Sequence, residues 1–313
     1  MPIPRIIFLV GPTAIGKSEI AALLAKKMKA EIISCDSIQV YKGMPIITSK
    51  PPSSILKKAP HNLISVIPAA KEYNVSQYRK EALEKAKDII KRKNIPFFVG
   101  GTGLYMSILV DGIFEQDAQD ELIRKKLYEV MRKKGSAYLY KELEKIDPLS
   151  AAKIHPNDAK RLIRALEVFK ATGQTISALQ KLRRGLKDEY SVKIFCLNMD
   201  RNKLYKRIDS RVDKMFELGL IKEVKRLLKI RLSKTASCAI GIKELKGYFD
   251  GVYDLEEAKR LMKRNTRHYA KRQLTWFRKD NRIEWINIKD NDKSKEVAGR
   301  LWKKLKKIRK KLS

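Results

Sequence analysis

The chain contains 313 residues, a length that accommodates an α/β core together with a second lobe. Its 70 lysine and arginine residues outnumber 35 acidic residues, which gives a formal net charge of +35. This excess favours a polyanionic partner such as RNA, although a general lysine bias or a demand for solubility would produce the same composition.

The sequence pattern is that of a cytoplasmic protein. No apolar run approaches the roughly 20 residues that a membrane span requires, and the few residues before the first apolar run predict that no signal peptide is present. The cysteines, Cys35, Cys196 and Cys238, are scattered without a C-x-x-C pair, so neither a zinc site nor a disulfide framework is predicted. We therefore expect a cytoplasmic protein with no membrane partner.

The first chemical motif is the segment G-P-T-A-I-G-K-S at residues 11–18. An apolar run at 6–10 precedes it and predicts a buried strand, whereas residues 19–28 predict a helix. In this setting the backbone N–H groups of a glycine-rich turn and the helix N-terminus converge on phosphate oxygens. Lys17 supplies a mobile positive charge, and the Ser18 hydroxyl can hold Mg²⁺. The motif predicts a polyphosphate or pyrophosphate site formed by Gly11, Pro12, Thr13, Ala14, Ile15, Gly16, Lys17 and Ser18.

Two further predicted strands end next to polar residues. The strand at 31–34 is followed by Asp36, and the strand at 96–99 is followed by G-G-T-G, which contains Thr102. A helix at 74–93 lies between them, after an irregular stretch, and Asn74 with Gln77 forms a capping box at its start. This alternation predicts a parallel sheet with ligands beyond the carboxyl ends of its strands. The P-loop, Asp36 and Thr102 should therefore meet at one site.

The strand pattern disappears between about 115 and 187, where helical periodicity is broken at Gly135, Pro148, Pro156 and Gly173. A strand at 192–197 then returns to the sheet, and helices are predicted at 204–229, 255–278 and 294–312. The predicted fold is α/β: a P-loop NTPase-like parallel sheet flanked by helices, with an inserted all-helical lobe. The predicted domains are the first part of the core at 1–114, the helical lobe at 115–189, and the core completion with basic C-terminal helices at 190–313.

Basic residues cluster on the later predicted helices. A helix beginning near residue 158 presents Lys160, Arg161 and Arg164 on one face, either as phosphate contacts or as a solvated face with local ion pairs. The helix at 255–278 carries basic residues on more than one face, so part of them can face a polyanion. The lysine-rich tail at 303–311 continues an apolar stripe, which favours packing on the core over contact with a membrane.

Asp36 is the main acidic residue near the P-loop. A P-loop ATPase usually places an acid at the end of a neighbouring strand to hold Mg²⁺, but here that strand ends in Gly-Gly-Thr. Asp36 lies instead where a base that activates an acceptor would lie. The residues leave two kinds of group transfer open: a kinase that moves a phosphoryl group to a small acceptor, and a transferase whose donor leaves its pyrophosphate in the P-loop.

An ordered set of segments extends over nearly the whole chain. It comprises G-P-T-A-I-G-K-S at 11–18, D-S-I-Q-V-Y-K-G-M at 36–44, G-G-T-G-L-Y at 100–105, H-P-N-D-A-K-R-L-I-R-A-L-E at 155–167, I-G-I-K-E at 240–244 and T-R-H-Y-A-K-R-Q-L-T-W-F-R at 266–278. Together they resemble the tRNA dimethylallyltransferase family, also called tRNA isopentenyltransferases, in its bacterial form. The departures, such as Ile15 for a small residue and Ser18 for the commoner threonine, remove no group with a chemical role.

This resemblance implies a specific reaction. The dimethylallyl group passes from dimethylallyl diphosphate to the N6 amine of the adenosine on the 3′ side of the anticodon in tRNA, and diphosphate is released. Mg²⁺ held by Ser18 is the implied cofactor, and the implied assembly is a monomer. An ATP-dependent small-molecule or nucleotide kinase is the alternative, but it leaves the basic helices unexplained. A non-catalytic RNA-binding protein would have no need of Lys17, Ser18 and Asp36.

The resemblance also implies roles for individual residues. Asp36 takes the amine proton as the C–N bond forms, because an aromatic amine is a poor nucleophile, and Lys17 stabilises the departing diphosphate. Thr102 hydrogen-bonds the bridging oxygen or the acceptor, and the target base leaves its stack. The implied tRNA contacts are Asp36, Ser37, Ile38, Gln39, Thr102, Arg124, Lys160, Arg161, Leu162, Ile163 and Arg164. His155 is interpreted as a structural cap residue.

Overall fold

The computed structural model describes residues 6–114 and 120–312, with side chains described as far as residue 307. The prediction that no signal peptide is present concerns residues 1–5, and the predicted start of the helical lobe falls at residue 115. Both lie outside the described residues.

A single parallel sheet forms the centre of the fold. Its strands are β1 (Ile6–Val10), β2 (Ala30–Ser34), β3 (His61–Asn62), β4 (Ile95–Gly100), β5 (Val192–Asn198) and β6 (Ile283–Asn287). Their order across the six-stranded sheet is β3-β2-β4-β1-β5-β6, and the neighbouring strands run parallel. The first strand lies in the middle, with Val10 opposite both Gly100 and Cys196. The predicted α/β fold with a P-loop-type parallel sheet is confirmed.

The helices follow the strands in alternation through the first part of the chain. In chain order they are α1 (Lys17–Met28), α2 (Ser53–Leu56), α3 (Val75–Lys91), α4 (Gly103–Asp111), α5 (Glu121–Ile146), α6 (Pro148–Ala151), α7 (Ala159–Thr172), α8 (Ile176–Lys181), α9 (Leu186–Glu189), α10 (Arg201–Glu217), α11 (Leu220–Leu227), α12 (Ile242–Phe249), α13 (Leu255–Phe277) and α14 (Ser294–Leu312). A 3₁₀ turn at Ala236–Cys238 lies between α11 and α12.

The chain divides into two compact units. Met1–Val110 and Glu189–Ser313 form the unit that contains the sheet, and Asp111–Asp188 forms the other unit. In the second unit, α5 and α7 pack around an apolar core that includes Leu143 and Leu166. The backbone of α5 changes direction at Gly135, where φ is 79°, and α7 ends at Gly173, where φ is 70°. Both glycines lie where helical breaks were predicted, because positive φ is easily adopted only by glycine.

A buried apolar core of the sheet unit lies between β1 and two helices, α1 and α14, that are remote from each other in sequence. Leu9 of β1, Leu24 of α1 and Leu301 of α14 belong to one buried cluster. Ser294 Oγ at the start of α14 donates a hydrogen bond to Glu19 Oε2 at the start of α1, at 2.7 Å. The tail therefore packs on the core, as its apolar stripe predicts. No helix within the described part of the chain is long and apolar enough to cross a membrane.

Most predicted helices agree with the structure, and one is wrong. The capping box of α3 is present, since Gln77 N donates to Asn74 Oδ1 and Asn74 N donates to Gln77 Oε1, both at 2.9 Å. The single helix predicted at 204–229 is instead α10 and α11, because Gly219 takes a φ of 95° between them. The strands β3 and β6 and the helix α4 were not predicted. The edge strand β3 has only two residues, too few for any periodic signal.

Candidate active site

The P-loop connects β1 to α1 in the conformation that its glycines permit. Gly11 has a φ of 147°, and a Cβ there would lie 3.0 Å from the Leu197 carbonyl oxygen. Gly16 has a φ of 93° at the N-cap of α1. Both backbone conformations are strained for residues with a side chain. The glycine spacing of the motif therefore shapes the loop that turns the N-terminus of α1 toward the end of β1.

Lys17 is folded back onto its own loop. Its Nζ donates hydrogen bonds to the carbonyl oxygens of Gly11, at 2.9 Å, and Pro12, at 2.7 Å. Burial of the ammonium lowers its pKa to about 8, the Asp36 carboxylate opposes this shift, and the Arg211 guanidinium adds to it. An anion bound in the loop would favour the charged form of Lys17.

Asp36 follows β2, and its carboxylate is oriented by the turn that it begins. Oδ1 accepts hydrogen bonds from Ile38 N, at 2.9 Å, and Gln39 N, at 3.3 Å. Oδ2 forms no hydrogen bond with any other described residue. One carboxylate oxygen is therefore fixed, and the other is available to a substrate proton.

Thr102 follows β4 and holds the same turn from the other side. Its Oγ1 accepts a hydrogen bond from Ser37 N at 3.1 Å and donates to Ser37 Oγ at 3.4 Å. Gly100, two residues before Thr102, has no room for a side chain, since a Cβ there would lie 1.9 Å from the Cys35 carbonyl oxygen. The two strand ends thus approach closely enough to bring Thr102 against the Asp36 turn.

Gln273 of α13 joins the P-loop to the turn after β4. Its Oε1 accepts a hydrogen bond from Thr13 N at 2.8 Å, and its Nε2 donates to the Gly101 carbonyl oxygen at 2.8 Å. Gln273 is buried. Gln273 had no predicted role, because its burial and its two partners follow from tertiary packing and not from the sequence of α13.

Arg211 of α10 is a second site residue that the sequence analysis missed. It donates from its guanidinium to Thr13 Oγ1, and its buried Nε has no hydrogen-bond partner within the described structure. Burial lowers its pKa to about 10, and the Asp36 carboxylate opposes the shift. A buried guanidinium with an unused donor beside the P-loop is suited to a bound anion. No local sequence pattern distinguished it from the other arginines of α10.

Two cavities meet at Asp36. A cavity of about 480 Å³ is lined by the P-loop, including Lys17 and Ser18. A cavity of about 540 Å³ is lined on its apolar side by Val212, Met215 and Met262. Both are lined by Thr13, Asp36, Thr48, Ser49, Arg211 and Tyr269. Asp36 therefore lines both a phosphate-type cavity and a cavity with an apolar part.

Tyr269 contributes an aromatic side chain at this border. Burial and the neighbouring Asp36 carboxylate raise the pKa of its phenol above the ordinary value. The hydroxyl therefore stays protonated at neutral pH and can donate a hydrogen bond.

The fit of Mg²⁺ depends on the donor set around the P-loop. Within the described residues there is no cluster of three or more histidine, cysteine or acidic side chains that could hold a metal. Ser18, which carries a hydroxyl, does line the P-loop cavity, together with Asp36. Mg²⁺ commonly takes few protein ligands and completes its shell with substrate phosphates and water, so these residues fit a metal that arrives with a diphosphate.

The remaining residues of the Asp36 turn are divided between the two cavities. Ser37 and Ile38 line the larger cavity, and Gln39 lines the P-loop cavity. The Gln39 amide donates to the Thr48 carbonyl oxygen at 3.4 Å. Gln39 is therefore engaged with the neighbouring loop.

The other predicted tRNA contacts lie in the unit formed by Asp111–Asp188. Lys160 is exposed, Arg161 pairs with Asp158 at 3.3 Å, and Arg124 and Arg164 both pair with the buried Glu167. Leu162 and Ile163 have their side chains buried in the core of this unit, and the tRNA contacts at these two positions stay a prediction. His155 Nδ1 accepts from Asn157 N at 3.1 Å, which fits the predicted cap role.

Comparison with known proteins gives consistent matches over nearly the whole chain. The family model described as "IPP transferase" matches residues 39–280, and the model described as "Isopentenyl transferase" matches residues 4–63. A tRNA dimethylallyltransferase of Carboxydothermus hydrogenoformans is 46% identical over 303 residues, covering 96% of each chain.

Solved structures are similar over the same extent. The tRNA isopentenylpyrophosphate transferase of Bacillus halodurans is 38% identical with a TM-score of 0.71, and 98% of each chain is covered. A eukaryotic dimethylallyltransferase described as acting on tRNA is 30% identical with a TM-score of 0.81, covering 95% of this chain and 77% of that one.

Proposed function

The chain belongs to the IPP transferase family, and from that premise we propose how its residues bind the substrates and perform the transfer. Its reaction is that of its relatives, the transfer of a dimethylallyl group to tRNA. The acceptor is the N6 amine of the adenosine on the 3′ side of the anticodon. The main support for the mechanism is that Asp36 lines both the P-loop cavity and the larger cavity, which has an apolar part.

Dimethylallyl diphosphate is the proposed donor. Its diphosphate would occupy the P-loop cavity, where loop N–H groups and the N-terminus of α1 favour an anion. Lys17 would exchange its bonds to the Gly11 and Pro12 carbonyl oxygens for bonds to phosphate oxygens. The unpartnered Nε of Arg211 offers a second charge-assisted contact. The prenyl group would then extend toward the apolar residues of the larger cavity.

Bond exchange takes place where the two cavities meet. The allylic C–O bond breaks, and its electron pair leaves with the diphosphate. The N6 lone pair forms the new C–N bond to the allylic carbon. Positive charge develops on that carbon and negative charge on the leaving group, so Lys17 and Arg211 stabilise the transition state more than the ground state.

Asp36 accepts the proton that the amine loses. Its Oδ1 is held by the amides of Ile38 and Gln39, so Oδ2 is the acceptor. A carboxylate is a weak base toward a free amine, and proton transfer therefore accompanies C–N bond formation. Thr102 holds this turn through Ser37 N, and its hydroxyl can also contact the bridging oxygen or the acceptor.

Mg²⁺ fits as the cofactor, with Ser18 as the protein ligand. When bound, it would neutralise charge on the diphosphate and make it a better leaving group.

The acceptor adenosine must leave its stack to reach Asp36. Ser37 and Ile38 line the larger cavity and can contact the base, and Gln39 supports the loop beside them. Lys160, Arg161, Arg164 and Arg124 offer phosphate contacts for the anticodon stem. A tRNA substrate favours the cytoplasm as the place of reaction, and we propose that the chain acts there as a monomer.

A transfer assay tests this function. Purified protein is offered unmodified tRNA and Mg²⁺ with either labelled dimethylallyl diphosphate or labelled ATP. Label should enter tRNA only from the prenyl donor. Asp36→Asn keeps an acceptor oxygen for the two turn amides, so it should reduce kcat by about 10²- to 10⁴-fold, the usual contribution of a general base, while tRNA binding is retained.

Several outcomes would contradict the proposal. Phosphate release from ATP without prenyl transfer would assign the chain to the kinase class. Loss of tRNA binding together with turnover in Asp36→Asn would make Asp36 a structural residue. Full activity in Asp36→Asn would exclude it as the base.

A further inference from the structure

We propose that Glu223 is a positioning residue that holds the loop at residues 43–50 in the shape required for binding the prenyl diphosphate. We call this segment the 43–50 loop. The inference rests on the proposed function, because it concerns the walls of the same two cavities. It assigns a role to a buried carboxylate that the mechanism does not use.

Glu223 is buried, and within the described part of the chain it accepts hydrogen bonds from backbone N–H groups only. It lies in the first turn of α11 and is 7% exposed. Oε1 accepts a hydrogen bond from Ile47 N at 2.8 Å, and Oε2 accepts one from Ile46 N at 3.1 Å. No lysine, arginine or histidine of the described chain forms an ion pair with it. A buried charge is costly unless it is well hydrogen-bonded, so these two bonds are what make its burial tolerable.

The two amides need an external partner because of the shape of the loop. Residues 44–50 form a compact coil, in which Thr48 N donates to the Met44 carbonyl oxygen at 3.2 Å and Lys50 N donates to that of Pro45 at 2.9 Å. As in the first turn of a helix, the N–H groups at the start of such a coil have no acceptor within it. Glu223 supplies both acceptors, one for each carboxylate oxygen.

A second contact from α11 fixes the beginning of the loop. The Arg226 guanidinium donates to the Gly43 carbonyl oxygen at 2.6 Å. Glu223 and Arg226 are three residues apart and therefore lie on the same side of the helix. One face of α11 thus binds the 43–50 loop at two places, at Gly43 and at the Ile46 and Ile47 amides.

The loop forms a wall of both cavities. Ile47 lines the larger cavity, Lys50 lines the P-loop cavity, and Thr48 and Ser49 line both. Releasing the loop would alter the space for the prenyl diphosphate on both sides of Asp36. The proposed RNA contacts of α7 lie in the other unit, so the affinity for tRNA should depend little on Glu223.

The test compares Glu223→Ala, Glu223→Gln and Arg226→Ala with wild type, and Glu217→Ala is the matched control because Glu217 is exposed at the end of α10. Prenyl transfer is measured with varied dimethylallyl diphosphate at saturating tRNA. Glu223→Ala should raise the KM for the diphosphate about 10- to 100-fold, since two charge-assisted bonds are lost. Glu223→Gln keeps one acceptor oxygen and should give a smaller increase. The control should match wild type.

A structural role and a positioning role give different kinetics. If a variant is partly unfolded, fewer molecules are active, so kcat falls and KM is unchanged. If the loop is displaced in a folded variant, KM rises. In the double variant Glu223→Ala with Thr48→Ala, the increase in KM should be smaller than the product of the increases in the two single variants. The reason is that both substitutions act through the same loop. The affinity for tRNA without donor should stay within about twofold of wild type.

Unchanged KM in all three variants, or a fall in kcat alone, would overturn the inference. If Glu223→Ala does not fold, Glu223→Gln and Arg226→Ala still decide the question. Failure of the proposed function would appear as no prenyl transfer by wild type, which is a separate result.

Discussion

Lys17 has a pKa of about 8 because its ammonium is buried and Arg211 repels it, and Asp36 only partly offsets these effects. A bound diphosphate favours the protonated form. Below pH 8 that form is already present in the free protein, so binding requires no proton uptake. Above this value the affinity should fall about tenfold per pH unit, until the higher pKa of the complex is reached.

This prediction is tested by measuring the dissociation constant of inorganic diphosphate from about pH 7 to pH 10, across the Lys17 transition. Lys17→Arg is the control, since it stays charged over this range while the ionisation of diphosphate itself affects both proteins equally. The ratio of the two affinities isolates the lysine. Parallel profiles for the two proteins would show that Lys17 does not titrate in this range.

Individual site residues differ in how far the sequence could reveal them. The P-loop, Asp36 and Thr102 were predicted to converge because each follows a strand, and parallel strands end at one edge of a sheet. Arg211 and Gln273 were missed because they reach the site from helices far along the chain. Their positions depend on tertiary packing, which no local pattern encodes.

At the scale of elements, α13 is joined to the site by Gln273. Replacement by alanine would leave the Thr13 N–H and the Gly101 carbonyl oxygen without their buried partner. Gln273→Ala should therefore lower the free energy of unfolding by about 2–4 kcal/mol, the cost of two unsatisfied groups.

Urea unfolding measures this difference. Thr275→Ala, at an exposed position of the same helix, should change the free energy of unfolding by less than about 0.5 kcal/mol. Equal stability of Gln273→Ala and wild type would mean that water replaces both bonds and that α13 is held by other contacts.

Element boundaries were predictable where a side chain marks them. Asn74 and Gln77 locate the start of α3 because their reciprocal bonds are local. The break at Gly219 was missed because residues on both sides favour helix, and a single glycine with positive φ separates them. The short strand β3 exists only because β2 offers it a partner, which the sequence of two residues cannot indicate.

At the scale of the whole molecule, the net charge of +35 predicts that tRNA binding weakens steeply with salt. Counterions released from the RNA make the logarithm of affinity fall with the logarithm of salt concentration. Lys160 is exposed, whereas Arg124 and Arg164 are paired with Glu167. Lys160→Ala should therefore reduce the salt slope by about 1, as expected for one lost phosphate contact.

Filter binding over a salt series measures this slope. Lys170→Ala is the matched control, because Lys170 is exposed near the opposite end of α7. An unchanged slope in Lys160→Ala, or the same change in both variants, would mean that α7 contributes only diffuse charge. Composition could predict a polyanionic partner, but only the structure shows which basic residues are exposed without an ion pair and which already have an acidic partner.

The packing of α14 on α1 has a consequence for how the protein is made. Ribosomes synthesise the P-loop helix well before the apolar partners Leu301 and Leu305 that cover it, because these lie far along the chain in α14. The central strand β1 pairs with β4 on one edge, and its other edge stays unpaired until β5 has been synthesised. The nascent chain therefore exposes an apolar helix face until α14 has emerged and an open strand edge until β5 has emerged, and surfaces of this kind are the ones that chaperones bind. A donor site built on α1 would mature only after α14 has been synthesised.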